Sequence, residues 1–107
     1  MSVVNLPKAV ENFVAANNAH DGEALFAVFA DEAAIRDDGK TYASEAEIRG
    51  WFQSHLIAPK VVITPASFDG DRLVASSDGD FPGGPLNFVF TFATKDDLVT
   101  DLTIDPA

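Results

Sequence analysis

Few residues of this chain could do chemistry, and the first of them is Asp37. It stands beside Asp38 at the end of the run "AAIRDDG". A carboxylate that faces apolar walls loses hydration and holds its proton more firmly, which suits it to moving protons between carbons. The same two aspartates, with Gly39, also make an ordinary polar turn. His55 follows Trp51 by one helical turn. In a pocket its imidazole serves as a general base or hydrogen-bonds a ligand near neutral pH; at the edge of an apolar stripe it bonds to backbone or water instead. Tyr42, the single tyrosine, offers a hydroxyl at a pocket mouth or packs over a helix start. Trp51 is placed by amphipathic spacing and so reads first as core, with an indole N–H that needs a partner once buried. By strand alternation Arg36 faces away from Asp37, toward a salt bridge on an outer sheet face. Asp101 is a surface carboxylate or a second acid at an interface. His20 belongs to the turn "NNAHDG", and no role is expected of it.

No metal and no cofactor are expected. Cysteine is absent and the two histidines lie far apart, so no recognised ligand spacing exists. "DDGKTYASE" lacks the acidic series of a calcium loop, and no glycine-rich phosphate loop follows a strand. "FPGGP" shapes a turn between strands.

The elements that must position these residues follow from period and punctuation. Asn5 is placed to cap a first helix that carries Pro7 in its first turn. Val10, Phe13, Val14 and Asn17 share one face of it. Asp21 caps a second helix, with Glu23 near its positive end and Leu25, Val28 and Phe29 as its apolar stripe, Phe26 beside it. Residues 33–37 read as a strand with Ala33, Ile35 and Asp37 on one face and Ala34 and Arg36, continued by Asp38, on the other. "DDGKTY" reads as a turn. Ser44 and Glu47 form a capping-box pattern ahead of a third helix, whose stripe is Ile48, Trp51, Phe52, His55 and Leu56 and whose bound is Pro59. From Lys60 the period changes to two. "VVITPASF", "RLVASSDGDF", "LNFVFTFAT" and "LVTDLTI" are four strands, and Leu86, Phe88, Phe90 and Phe92 line one face of the third. The order is two helices, a strand, a helix and four strands. Helices gathered ahead of an antiparallel sheet make an α+β domain, a single one over residues 1–107.

The composition bounds the partners. Seven basic residues face seventeen acidic ones, a net charge of −10. Such a balance repels nucleic acid and anionic membranes and leaves cationic or neutral ligands, besides serving solubility. The start has no basic region or long apolar run, so no signal peptide is expected, and no stretch has the length of a membrane span. A cysteine-free chain fits the reducing cytoplasm.

The order of elements, with "FVAANNAHDGEALFAVFADEAAIRDDG", "SEAEIRGWF" and "DFPGGPLNFVFTF", resembles the nuclear transport factor two-like superfamily, in particular its SnoaL-like branch. That branch includes polyketide cyclases and ketosteroid isomerases. The resemblance implies a curved sheet wrapped on helices as a cone, a pocket at the open end, and pairing of copies through the outer sheet face. Read without gaps against the ketosteroid isomerase pattern, Asp37 falls at the catalytic base. The oxyanion donors of that pattern are missing: Phe13 stands where the tyrosine would be, and Phe88 is nearest to the second acid. Without them an enolate loses what is usually its largest stabilisation, which argues against a ketosteroid isomerase.

The expectation is therefore a domain that binds a small apolar or weakly polar molecule, with any turnover being cofactor-free isomerisation, cyclisation or hydration. Asp37 and His55 are the catalytic candidates, and Tyr42, Trp51, Ile35, Phe13 and Phe88 are the ligand contacts. The alternative is a dimeric interaction module whose cone is plugged by its own side chains. A cavity lined by Asp37 and His55 would favour the first.

Overall fold

A computed structural model describes residues 5–80 and 83–107. Helix α1 (Lys8–Asn18) and helix α2 (Gly22–Val28) form the hairpin. Pro7, and not Asn5, occupies the N-cap of α1, where no side chain caps the helix. Its carbonyl accepts from the Glu11 amide at 2.9 Å, while its fixed φ leads the chain into the helix. Asp21 caps α2 as its side-chain type requires, accepting from the Ala24 amide at 3.1 Å. Phe29, expected on the α2 stripe, instead opens strand β1 (Phe29–Asp37). It is buried in either role, so its hydrophobicity alone could not decide between them.

Strand β2 (Lys40–Tyr42) was not expected as a strand; its residues read as part of a turn. Asp38 and Gly39 form a two-residue loop with φ of 53° and 75°, and they fold Lys40 back onto Asp37. Two successive positive φ values match the twist of paired strands, and Asp-Gly adopts them readily. Helix α3 (Glu45–Phe52) carries the expected capping box: Ser44 Oγ accepts from the Glu47 amide at 3.1 Å and Glu47 Oε1 accepts from the Ser44 amide at 3.2 Å. It continues as a π-helical turn, Gln53–Ile57, closed by the Ala58 amide donating to the Gln53 carbonyl at 2.9 Å.

Strands β3 (Val62–Asp69), β4 (Arg72–Asp78), β5 (Leu86–Lys95) and β6 (Leu98–Pro106) complete a six-stranded sheet in the order β2-β1-β6-β5-β4-β3. The architecture is the expected α+β one, with helices on a curved, unclosed sheet. The sheet is mixed and not wholly antiparallel, because β1 and β6 run parallel. Irregular register in β1–β6, β3–β4 and β5–β6 bends it around the helices.

The concave face is filled from α1 outward. Phe13 is fully buried against Phe29, Phe90 and Phe92, with ring centroids 6.0, 6.3 and 5.6 Å away. Polar groups tie α1 to the start of β3. Asn17 Nδ2 donates to the Val61 carbonyl at 3.1 Å. Asn18 donates to the Ile63 carbonyl at 3.0 Å and accepts from its amide at 2.8 Å. His20 Nε2 lies 3.0 Å from the Val61 carbonyl, so the turn histidine helps hold the edge strand.

Candidate functional site

Asp37 ends β1 on the face that Ala33 and Ile35 bury, as alternation requires. Its Oδ2 accepts from the Trp51 indole nitrogen at 3.0 Å. This bond answers two needs at once. Trp51 is 2% exposed and needs an acceptor, and Asp37 is half-buried and needs a donor. The capping box starts α3 at Ser44 and thereby aims Trp51 inward, so the bond depends on where that helix begins.

Past Phe52 the wider π turn changes what each residue faces. Leu56 remains buried, whereas His55 is exposed. The His55 ring stacks on the Trp51 indole at 5.8 Å and 18°, with the Tyr42 ring edge-on to it at 6.4 Å. Tyr42 also packs on Trp51 at 6.4 Å. The three rings form one aromatic corner above Asp37.

Beside this corner lies an apolar cavity of about 600 Å³. Asp37, Trp51, His55 and Phe88 line it, joined by Phe90 and Ile104 from the sheet. Of the other residues named from sequence, Ile35 and Phe13 are fully buried in the core and outside the lining. Tyr42 is half-buried against the corner and also outside it. Phe13 forms the packed floor, and Phe88 presents an apolar wall.

Sequence reasoning missed Ser54, Ser77 and Asp80, which supply the remaining polar groups of the lining. Ser77 is 5% exposed. Its signal was available, since Leu73, Ala75 and Ser77 alternate inward along β4. Arg36 and Asp101 meet on the outer face at 2.7 Å, well exposed, as the alternation of β1 predicted for the arginine. Such a pair contributes at most about 1 kcal/mol.

A second, polar cleft of about 630 Å³ lies between the hairpin and α3, among His20, Glu23 and Arg49. Its arginine already pairs with Glu23 and Glu45, each at 2.8 Å. Among the described residues no group of histidines and carboxylates is arranged to hold a metal ion. No helix among them is long and apolar enough to cross a membrane.

The family model of the SnoaL-like domain matches residues 10–102, and the chain belongs to that family. A comparison with curated protein sequences returns no match. Among solved structures, a candidate polyketide cyclase from Sinorhizobium meliloti is 30% identical, with a TM-score of 0.83 over 94% of this chain and 95% of that one. A Catenulispora acidiphila protein with a ketosteroid isomerase-like fold, in complex with trimethylamine, is 22% identical. Its TM-score is 0.79 over 96% of this chain and 88% of that one. A Mycobacterium tuberculosis protein in complex with estradiol-17β-hemisuccinate is 21% identical, with a TM-score of 0.77 over 90% and 88% of the two chains. The last two share the fold.

Proposed function

We propose that the protein binds a small organic molecule in the apolar cavity, with Asp37 as its polar anchor. The observation that carries this reading is the Asp37 carboxylate: Trp51 fixes one oxygen, and the side chain lines an apolar space of about 600 Å³. A cavity of that size suits a compact ligand. It also favours a binding role over an interaction module with a plugged cone. The small ligands held by the two structural neighbours are consistent with it.

Where the bound molecule carries an acidic C–H, Asp37 is the base, and catalysis is cofactor-free isomerisation, cyclisation or hydration. Donors for a developing oxyanion would come from Ser54, Ser77 or His55, since Phe13 and Phe88 provide none. Tyr42 and His55 shape the mouth. We also assign the protein a homodimer built on the outer sheet face and a cytoplasmic setting, which its cysteine-free composition fits.

Trp51 is the single tryptophan, so its emission reports on the cavity. Titration with small apolar alcohols and ketones should shift that emission, and Ser77→Leu, which intrudes on the cavity, should weaken the response. Deuterium exchange at the α-carbon of bound cyclohexanone, followed by NMR, tests the base role. It should fall at least tenfold in Asp37→Asn. No emission change with any apolar probe overturns the binding reading, and exchange that is equal in the two proteins overturns the base.

A further inference from the structure

We propose that the ligand of this cavity is a cation, an alkylamine carried on an apolar body. The inference rests on the binding reading above and adds the charge of the head group. Two carboxylates line the cavity, Asp37 and Asp80, and no lysine or arginine does so among the described residues. Neither acid is in an ion pair with a described residue.

The two acids line different parts of the cavity wall. β1, β6 and β4 run in one direction, but register pairs Asp37 with Ile104, Ile104 with Phe90 and Phe90 with Leu73, so β4 continues from Leu73 to Asp78 beyond the level of Asp37. Asp37 ends β1, and Asp80 follows β4 by two residues. Three strand spacings separate those strands, and Asp80 also lies well past Leu73 along the chain, so the two acids stand far apart on the sheet. The cavity therefore has Asp37 in one part of its wall and Asp80 in another, with aromatic and aliphatic side chains among the rest of the lining.

Each class of head group fares differently there. An anion would meet two carboxylates with no lining lysine or arginine, and the donors of Ser54, Ser77 and His55 would offset its lost hydration only in part. A neutral group adds at most one hydrogen bond to the Asp37 oxygen that Trp51 does not serve. A protonated amine pairs with that oxygen in a charge-assisted bond and sets its substituents against the apolar lining, Phe88 included. Lys40 opposes Asp37 across the β1–β2 ladder, but it is exposed, outside the lining and not bonded to it. The net charge of −10 adds long-range attraction for the same sign of ligand.

The test compares cyclohexylpropylamine, cyclohexylpropanol and cyclohexylpropanoate, which share one apolar body, by Trp51 emission and calorimetry at neutral pH. The amine should bind about tenfold or more tightly than the alcohol, and the carboxylate more weakly than both. Asp37→Asn should bring the amine to the affinity of the alcohol and leave the alcohol unchanged. If circular dichroism shows that variant to be unfolded, Asp80→Asn decides, with an expected loss of at least about threefold for the amine alone. Equal affinities of amine and alcohol in the wild-type protein overturn the proposal and leave the binding reading standing. Failure of all three to bind overturns both.

Discussion

The hydrogen bond from Trp51 to Asp37 ties α3 to the end of β1 and leaves the second carboxylate oxygen for the proposed ligand. Trp51 packs against Phe52, Tyr42 and His55 at 5.9, 6.4 and 5.8 Å. Removing that ring leaves a cavity the surrounding elements cannot close, so Trp51→Ala should cost roughly 3–5 kcal/mol in denaturant melts. A near-neutral result would show that the indole is peripheral. Asp38, next to the site residue, is exposed with a φ of 53°. Asparagine tolerates that backbone equally well, so Asp38→Asn should shift stability by less than about 0.5 kcal/mol and leave ligand binding unchanged. The contrast between the neighbouring aspartates was legible from alternation alone, because Ile35 and Arg36 fix which face is inside. The acceptor for Trp51 was not legible. The sequence shows that an indole needs one, but the pairing depends on a helix and a strand meeting in space.

Among the elements, α3 is the one whose start can be tested directly. Ser44→Ala removes one half of the capping box and should lower stability by about 1 kcal/mol. The other half has a pH signature. The amides of Ala43 and Ser44 donate to the Glu47 carboxylate and hold its pKa below the ordinary value of 4.5. A depressed carboxylate stabilises the fold above its unfolded pKa and loses that contribution as pH falls through its folded value. Acid titration should therefore weaken the native state below about pH 4.5, and Glu47→Gln should flatten that part of the profile. An unchanged profile in the variant would assign the acid sensitivity to other carboxylates. This helix was legible because its signals are local. β2 was not, being a three-residue strand with no hydrophobic pattern of its own and only Asp38 and Gly39 to announce a hairpin. The asparagine ties from α1 to β3 were invisible because their partners are backbone groups more than 40 residues away.

For the whole molecule, the convex sheet face is the surface most open to a second copy. Val74, Val89, Thr91 and Thr103 lie there half-buried, around the exposed Arg36–Asp101 pair. A dimer through this face should bury about 1,200 Å² or more in total, and light scattering should show it at micromolar concentration. Thr91→Lys should dissociate it; a monomeric wild-type protein would remove the face as an interface. Helix order and strand count were readable along the chain, whereas the parallel pairing of β1 and β6 was not, since nothing local announces which distant strand becomes a neighbour. That pairing also bears on how the fold is reached. β6 sits inside the sheet between β1 and β5, so before residues 98–106 are available the sheet exists as two separate pieces, one early and one late. Closing a loop of some 60 residues precedes any reward from the central contacts, which gives the protein a high contact order and a slow, all-or-none folding step. A nascent chain stopped short of β6 leaves Ile35 and Phe92 without the Leu102 that stands between them in the sheet, apolar surface that makes it a natural client for chaperones.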